Sequence, residues 1–528
     1  MKKLLEFMPG SAEATRLARS RGEKFVINVL WSWTGVAANL FVGFIITPFI
    51  IRRLGAEQYG IWSLIFSILD YFWFFDLGLN TAVCNFCARF IALKDYEKIN
   101  EVISTALFYF SVVALAAWAI APFLARGGYR FFRVSPAYQP EFANLILMTA
   151  VSWGVCIVLH MFVSALDGFQ RFDLTSRIWV AMLALRSVGY LLVLQSGHGL
   201  VAMAVVFIGS QVLGYLLNFL NFRRVFPQLQ LSASYVRPEM FRDIFLYGVK
   251  SFAANTSTLV LNQSGPVMIG HYLSDAAVGF YALPAKLLQN VVDTVSRVAI
   301  VTRSSAAELT ATGKREATLA LGVYTNRYSL TLFMPLAVFL SVYGRALILR
   351  WVGPQMAEYS APLLPVFLLS NALVLAAQFN SSSLLYGLGA HGGYARGMIV
   401  EAILYVAALV WVIPRYGILG VACTSAALMI AVRGVYTPWL VSRALNTSFL
   451  GYMRGIYARP LLAAVPVWIL ARFLQKNWLG DATWPQLTLA ACICGAVYSA
   501  VAFFACLPRD HRMAVLSRMP VVGPRYRP

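Results

Sequence analysis

The chain has 528 residues, of which 59% are hydrophobic and only 12% charged, about half the charged share usual in soluble domains. That balance excludes a soluble globular protein and describes an integral membrane one. The formal charge of +21 does not indicate a nucleic-acid binder, because the Lys and Arg fall mainly in short loops between apolar runs, as membrane orientation requires, and not on one patch.

Residues 1–24 carry Lys2, Lys3, Arg16, Arg19, Arg21 and Lys24 and lack a small-residue cleavage site before a short apolar core. They read as a retained, basic cytoplasmic segment, not as a secretory signal. Apolar windows then predict about fourteen transmembrane helices near 25–51, 58–80, 98–122, 141–166, 173–196, 199–222, 243–269, 276–302, 318–343, 360–386, 397–413, 417–441, 456–474 and 485–507. The fold class expected is therefore all-α and membrane-integral. Two pseudo-symmetric six-helix lobes, 25–222 and 243–441, are joined by a cytoplasmic linker at 223–242 that contains Pro227 and Pro238. Two additional helices follow within 442–507, and a basic tail occupies 508–528.

An even number of crossings leaves both termini on one side. Segments on that side hold 27 Lys and Arg and those opposite hold 10, with residues at span edges counted to the loops. Both termini are therefore expected in the cytoplasm. Arg126, Arg130 and Arg133, clustered in one outer loop, are the exception.

A shift of 219 residues lays "LGAEQYGIWSL" (54–64) over "LSDAAVGFYAL" (273–283), aligning Leu54 with Leu273, Gly60 with Gly279 and Leu64 with Leu283. The same shift aligns Ser32 with Ser251, Leu40 with Leu259 and Ile50 with Ile269, each at the same place in a six-span unit. Duplicating an even number of spans inserts both halves the same way up, so their axis runs along the membrane normal.

A first span ending in "TPFIIRRLGAEQYGIWSL", then "DLGLN" and a basic "ARFIALKDYEK", resembles the polysaccharide transporter family of the multidrug/oligosaccharidyl-lipid/polysaccharide exporter superfamily. The resemblance implies two six-helix lobes around a central cavity and alternating access without an ATPase. It also implies a substrate that is a glycan on undecaprenyl pyrophosphate in the bacterial inner membrane. Independently, no G-x-x-x-x-G-K-[ST] occurs in the sequence.

Ionisable groups inside a bilayer are costly unless they face a cavity or a partner. Lys286, Asn290, Asp293 and Arg297 fall on one face of the eighth span, with Lys286 near the midplane and Arg297 near the inner surface. Asp293 and Arg297 can neutralise each other; Lys286 is left as the cavity candidate. Span seven carries Ser251, Asn255, Thr258 and Asn262 on one face, and span one carries Ser32 and Asn39. These are sugar-binding candidates, with helix–helix hydrogen bonding as the alternative. Lys250, off that stripe, either joins the cavity or snorkels to the cytoplasm, and Arg186 lies deep in its span.

Asp76 and Asn80, one turn apart at the inner end of span two, are candidates for an inner gate; pairing of Asp76 with Arg89 or a helix end is the alternative. Gly78 between them allows close helix contact or an early helix end. Asp70, Asp293 and Glu401 complete the gate or coupling candidates, where a proton or sodium ion is the coupling partner left open and no other cofactor is called for. The seven Cys give no disulfide framework, and Cys84 with Cys87 lacks a second ligand pair, so no metal site is expected.

The expected partners are a lipid-linked glycan, membrane lipids and polysaccharide polymerase and export machinery, with no nucleic acid. An anionic diphosphate headgroup needs Lys and Arg for phosphate and amides or hydroxyls for sugar. The alternative, a cation-coupled multidrug antiporter, needs a mainly acidic cavity, whereas six basic residues stand within the spans (Arg186, Lys250, Lys286, Arg297, Arg327, Arg433) against Asp70, Asp76, Asp293 and Glu401. An enzyme is not expected, because the longest outer loops, around Arg126 to Pro140 and Gly344 to Tyr359, are short, the five His are dispersed, and neither H-E-x-x-H nor Asp-x-Asp occurs.

Overall fold

The computed structural model describes residues 11–132, 134–296, 302, 306, 309, 315–478 and 483–516. The side chains of 11–41, 249–251, 253–255, 290, 293, 294, 296, 375–379 and 514–516 fall outside that description. Helices dominate and no strand occurs among the described residues. Within hydrocarbon a helix satisfies every backbone donor and acceptor internally, which is why long apolar runs take this form.

The first helix, α1 (Ser11–Phe72), has 62 residues. Straight, it would measure about 93 Å, roughly three times the hydrocarbon thickness. It is broken at Gly55, where φ is +82°, a conformation free of strain only for glycine. The break falls between the first and second spans read from the sequence.

Two compact units are present. One comprises the described residues up to Leu54, Ile68–Phe131 and Pro136–Phe252. Its helices after α1 are α2 (Leu79–Leu93), α3 (Tyr96–Phe131), α4 (Gln139–Gly168), α5 (Phe172–Gln195), α6 (Leu200–Val225) and the first half of α7 (Pro238–Tyr272). Its core is apolar and aromatic, with Val83, Phe90, Phe110, Phe162, Leu166 and Phe222 at its centre. The segment leading to α7 is tied to α3 and does not hang free. Asn100 donates to the Gln228 carbonyl at 3.1 Å and accepts from the Gln230 amide at 3.0 Å, while Thr105 Oγ1 accepts from the Arg237 amide at 3.2 Å.

The other unit comprises Gly55–Ser67, Phe132–Ser135 and the described residues from Ala253 on. After α7 come α8 (Asp275–Ser296), α9 (Arg315–Val352), the short α10 (Pro354–Ser360), α11 (Leu364–Gly387) and α12 (Gly392–Met429). A π-helical turn (Ile430–Tyr436) leads into α13 (Thr437–Ala444), followed by α14 (Phe449–Asn477), α15 (Trp484–Ala505) and α16 (Arg509–Leu516). A buried polar network joins α9, α11 and α14. Asn326 donates to Ser381 Oγ and Tyr452 Oη, each at 3.0 Å, and Asn380 donates to Ser329 Oγ at 2.8 Å. Such hydrogen bonds supply interhelical specificity where lipid is as apolar as the side chains. They also tie α14 to α9 and α11.

Gly60 and Gly279, aligned by the 219-residue shift, meet in this unit. A Cβ on Gly60 would fall 1.7 Å from the Asp275 carbonyl oxygen and 3.2 Å from the Gly279 nitrogen. A Cβ on Gly279 would fall 2.8 Å from the Ala56 carbonyl oxygen.

Among the described residues, nine helices are long and apolar enough to cross a membrane, or ten if the pair bent by 49° between Val42–Asp76 and Leu79–Leu93 is one span. Fourteen crossings are compatible with this. The helical stretch Gly392–Ala444 counts once although its 53 residues measure about 80 Å and break at Gly417, where φ is +57°.

Candidate functional site

The polar "DLGLN" stretch interrupts the helical path in the first unit. Leu77 and Gly78 adopt φ of +48° and +76°, which ends the short 3-10 turn Trp73–Asp76 and starts α2 in a new direction. Asn80 donates its backbone N–H (3.2 Å) and its side-chain amide (2.5 Å) to Asp76 Oδ1, and Ser164 Oγ donates to Asn80 Oδ1 at 3.0 Å. Asp76 therefore accepts from the orphan donors at the start of α2, and the chain of bonds ends on α4. Gly78 lies backbone to backbone against α7, its Cβ position 2.4 Å from the Gly248 carbonyl oxygen. Beside the bend, an apolar cleft of about 370 Å³ is lined by Tyr71, Phe72, Phe75, Val113, Ala116 and Ile120.

Two of the polar candidates lie on exposed positions of the second unit. Asn262 on α7 and Lys286 on α8 are exposed. On α8, Lys286 is exposed, whereas Val278, Phe280, Tyr281, Leu283, Leu288, Val292 and Val295 are buried. Lys286 makes no ion pair among the described residues.

Arg186 on α5 is half-buried, its guanidinium 5.3 Å from the ring centroid of Phe207 on α6. A nearby group that the sequence reading passed over is His160 on α4. Its ring meets Trp73 at 5.1 Å and Tyr215 at 5.6 Å, and its Nδ1 is buried without a hydrogen-bond partner. The signal was available, since of the five His it alone falls within a predicted span.

The remaining candidates are not gathered at one place. Glu401 is fully buried, and both its carboxylate oxygens accept from Arg433 Nε at 2.9 Å. Arg433, one of the six in-span cations, is thus paired, and Glu401 with it. Arg327 is likewise committed: its Nε and Nη2 donate to the Gly455 carbonyl at 2.8 and 2.5 Å. Asp70 is half-buried. The side chains of Asn39, Lys250, Asn255, Asn290 and Asp293, and residue Arg297 entirely, lie outside the described residues. Among the described residues no group of His, Cys, Asp and Glu is arranged to hold a metal ion.

The family model for polysaccharide biosynthesis proteins matches residues 25–303. The uncharacterized membrane protein EpsK of Bacillus subtilis (strain 168) is 24% identical over 511 residues, covering 94% of this chain and 98% of its own. A putative O-antigen transporter of Shigella flexneri is 20% identical over 425 residues, 79% of this chain and 97% of its own. Among solved structures, the lipid II flippase MurJ in an inward closed conformation is similar with a TM-score of 0.71 at 12% identity, covering 91% of this chain and 98% of that one. An inward-facing multidrug resistance MATE family transporter of the MOP superfamily gives a TM-score of 0.62 at 15% identity, over 78% and 96%. At such identities the structural likeness establishes the fold. The chain is a multi-pass membrane protein. With a match spanning more than half its length, it belongs to the polysaccharide biosynthesis protein family.

Proposed function

We propose that this protein flips an undecaprenyl-pyrophosphate-linked oligosaccharide from the inner to the outer leaflet of a bacterial inner membrane by alternating access, with both termini cytoplasmic. The observation that carries this reading is Lys286, an exposed cation on α8 without an ion-pair partner among the described residues. A bare ammonium is not stable against lipid tails, so Lys286 faces a water-filled chamber, where it can meet a diphosphate. The exposed amide of Asn262 on α7 supplies the kind of group that sugars require. The putative O-antigen transporter among the relatives supports the same substrate class.

A deletion strain complemented with wild type or Lys286→Gln tests this. At equal protein level the variant is expected to lower export by on the order of tenfold, the worth of one charge-assisted contact, and to leave an undecaprenyl-linked oligosaccharide on the inner leaflet. Normal export would remove Lys286 from the site. The fold is equally that of a multidrug transporter; sensitivity of the deletion strain to cationic drugs, with no lipid-linked sugar accumulating, would favour the antiporter.

A further inference from the structure

A second basic site lies on helices other than α7 and α8. A pocket of about 500 Å³ surrounds the C-terminal end of α15, and Arg327, Arg459, Arg509 and Arg512 line it together with Tyr324 and Phe504. The four guanidinium groups come from three helices, α9, α14 and α16, and none forms an ion pair with a carboxylate among the described residues.

The cluster is built, not incidental. Arg327 is 6% exposed, fixed by its bonds to the Gly455 carbonyl and by Nη1 donating to the Cys506 carbonyl at 3.4 Å. Its guanidinium stands 5.3 Å from the Tyr324 ring centroid. Three of its five N–H donors are thus used in holding helix ends, and two remain. Arg512 lies 5.9 Å from the Phe504 ring centroid, and its Nε is buried without a hydrogen-bond partner. Buried donors are normally satisfied, and like charges held this close repel unless an anion lies among them. Planar forks converging from several sides match the oxygens of a phosphate.

The surroundings select the source of that phosphate. The pocket wraps the end of α15, an apolar 22-residue span, and Phe504 at its rim is 69% exposed. A ligand that combines a phosphodiester with acyl chains fills both environments, whereas a free anion meets only the first. We propose that this pocket binds the phosphate headgroup of an anionic phospholipid, holding α9, α14 and α16 together at one membrane surface. Which leaflet this is rests on the orientation proposed above; the site itself does not.

The test uses the full chain in detergent, titrated separately with cardiolipin, phosphatidylglycerol, phosphatidylethanolamine and inorganic phosphate. Retained adducts are counted by native mass spectrometry, and melting temperature is followed in parallel. Cardiolipin and phosphatidylglycerol are expected to be retained and to raise the melting temperature, phosphatidylethanolamine to do neither. The triple variant Arg459→Gln/Arg509→Gln/Arg512→Gln is expected to lose at least tenfold in anionic-lipid affinity; Arg415→Gln, an exposed cation elsewhere, should not. Single Arg459→Gln, with monodispersity checked by size exclusion, guards against a misfolded triple variant and should show a partial loss. Equal retention by wild type and both pocket variants would overturn the site. Saturation by inorganic phosphate with no lipid retention would overturn the lipid assignment.

Discussion

At Gly78 two constraints meet in one residue. Its φ of +76° disfavours any side chain, and its Cβ position already lies 2.4 Å from the Gly248 carbonyl oxygen, backbone that cannot swing aside. Gly78→Ala is therefore expected to cost on the order of 2–4 kcal/mol, from left-handed strain and overpacking together. A fall in detergent melting temperature and yield would show it; a variant as stable as wild type would mean that this contact is not held. The sequence marks Gly78 as a point of close contact or helix ending, but nothing local reveals that its partner is Gly248, 170 positions away. Asp275 shows a different residue-scale effect. Its side chain is 2% exposed, Oδ2 accepts from the Ser135 amide at 3.2 Å, and Oδ1 has no hydrogen-bond partner. Burial, with the nearby Glu57 charge adding to it, pushes the carboxyl up to about 6, the Ser135 bond opposing. A folded-state value above the ordinary one means stability present below about pH 4 and lost as pH rises through about 6. The melting temperature of wild type should thus fall over that window more than that of Asp275→Asn, and parallel profiles would rule the group out.

Between elements, the strongest local commitment is the Glu401–Arg433 pair. The π-helical turn Ile430–Tyr436 carries Arg433 to Glu401 on α12, with side-chain exposures of 6% and 0%. In the low dielectric of a membrane interior such a pair offers little net stability, yet removing one partner strands a charge. Glu401→Gln should lower stability by about 3–5 kcal/mol, and Glu401→Leu/Arg433→Met should recover most of it. Thermal unfolding of both variants decides the matter; an undisturbed Glu401→Gln protein would return Glu401 to the coupling candidates. In the sequence Glu401, Asp70 and Asp76 look alike, each an isolated acid within or beside an apolar run. The structure separates them by what lies across the helix: a guanidinium for Glu401, the start of α2 for Asp76. Periodicity reports the face a residue occupies and is silent on what that face meets.

At the scale of the whole molecule, each compact unit holds one close glycine approach, Gly60 with Gly279 in one and Gly78 with Gly248 in the other. Glycine permits this because backbone meets backbone without interlocking side chains. The sequence by itself determined the all-α membrane class, because hydrocarbon leaves an apolar chain of this length few other ways to satisfy its backbone. It also carried the family, through "LGAEQYG" and "DLGL", and the aligned glycines of the repeat. Only the tertiary structure decided which cations are spent on structure and which are exposed: Arg433 on Glu401, Arg327 on the Gly455 and Cys506 carbonyls, Lys286 at an exposed position of α8. It alone assembled the arginine pocket, whose members stand 132 to 185 positions from Arg327 along the chain. Charge interacts through space with whatever the fold brings near, and that neighbourhood is written in no single stretch of residues.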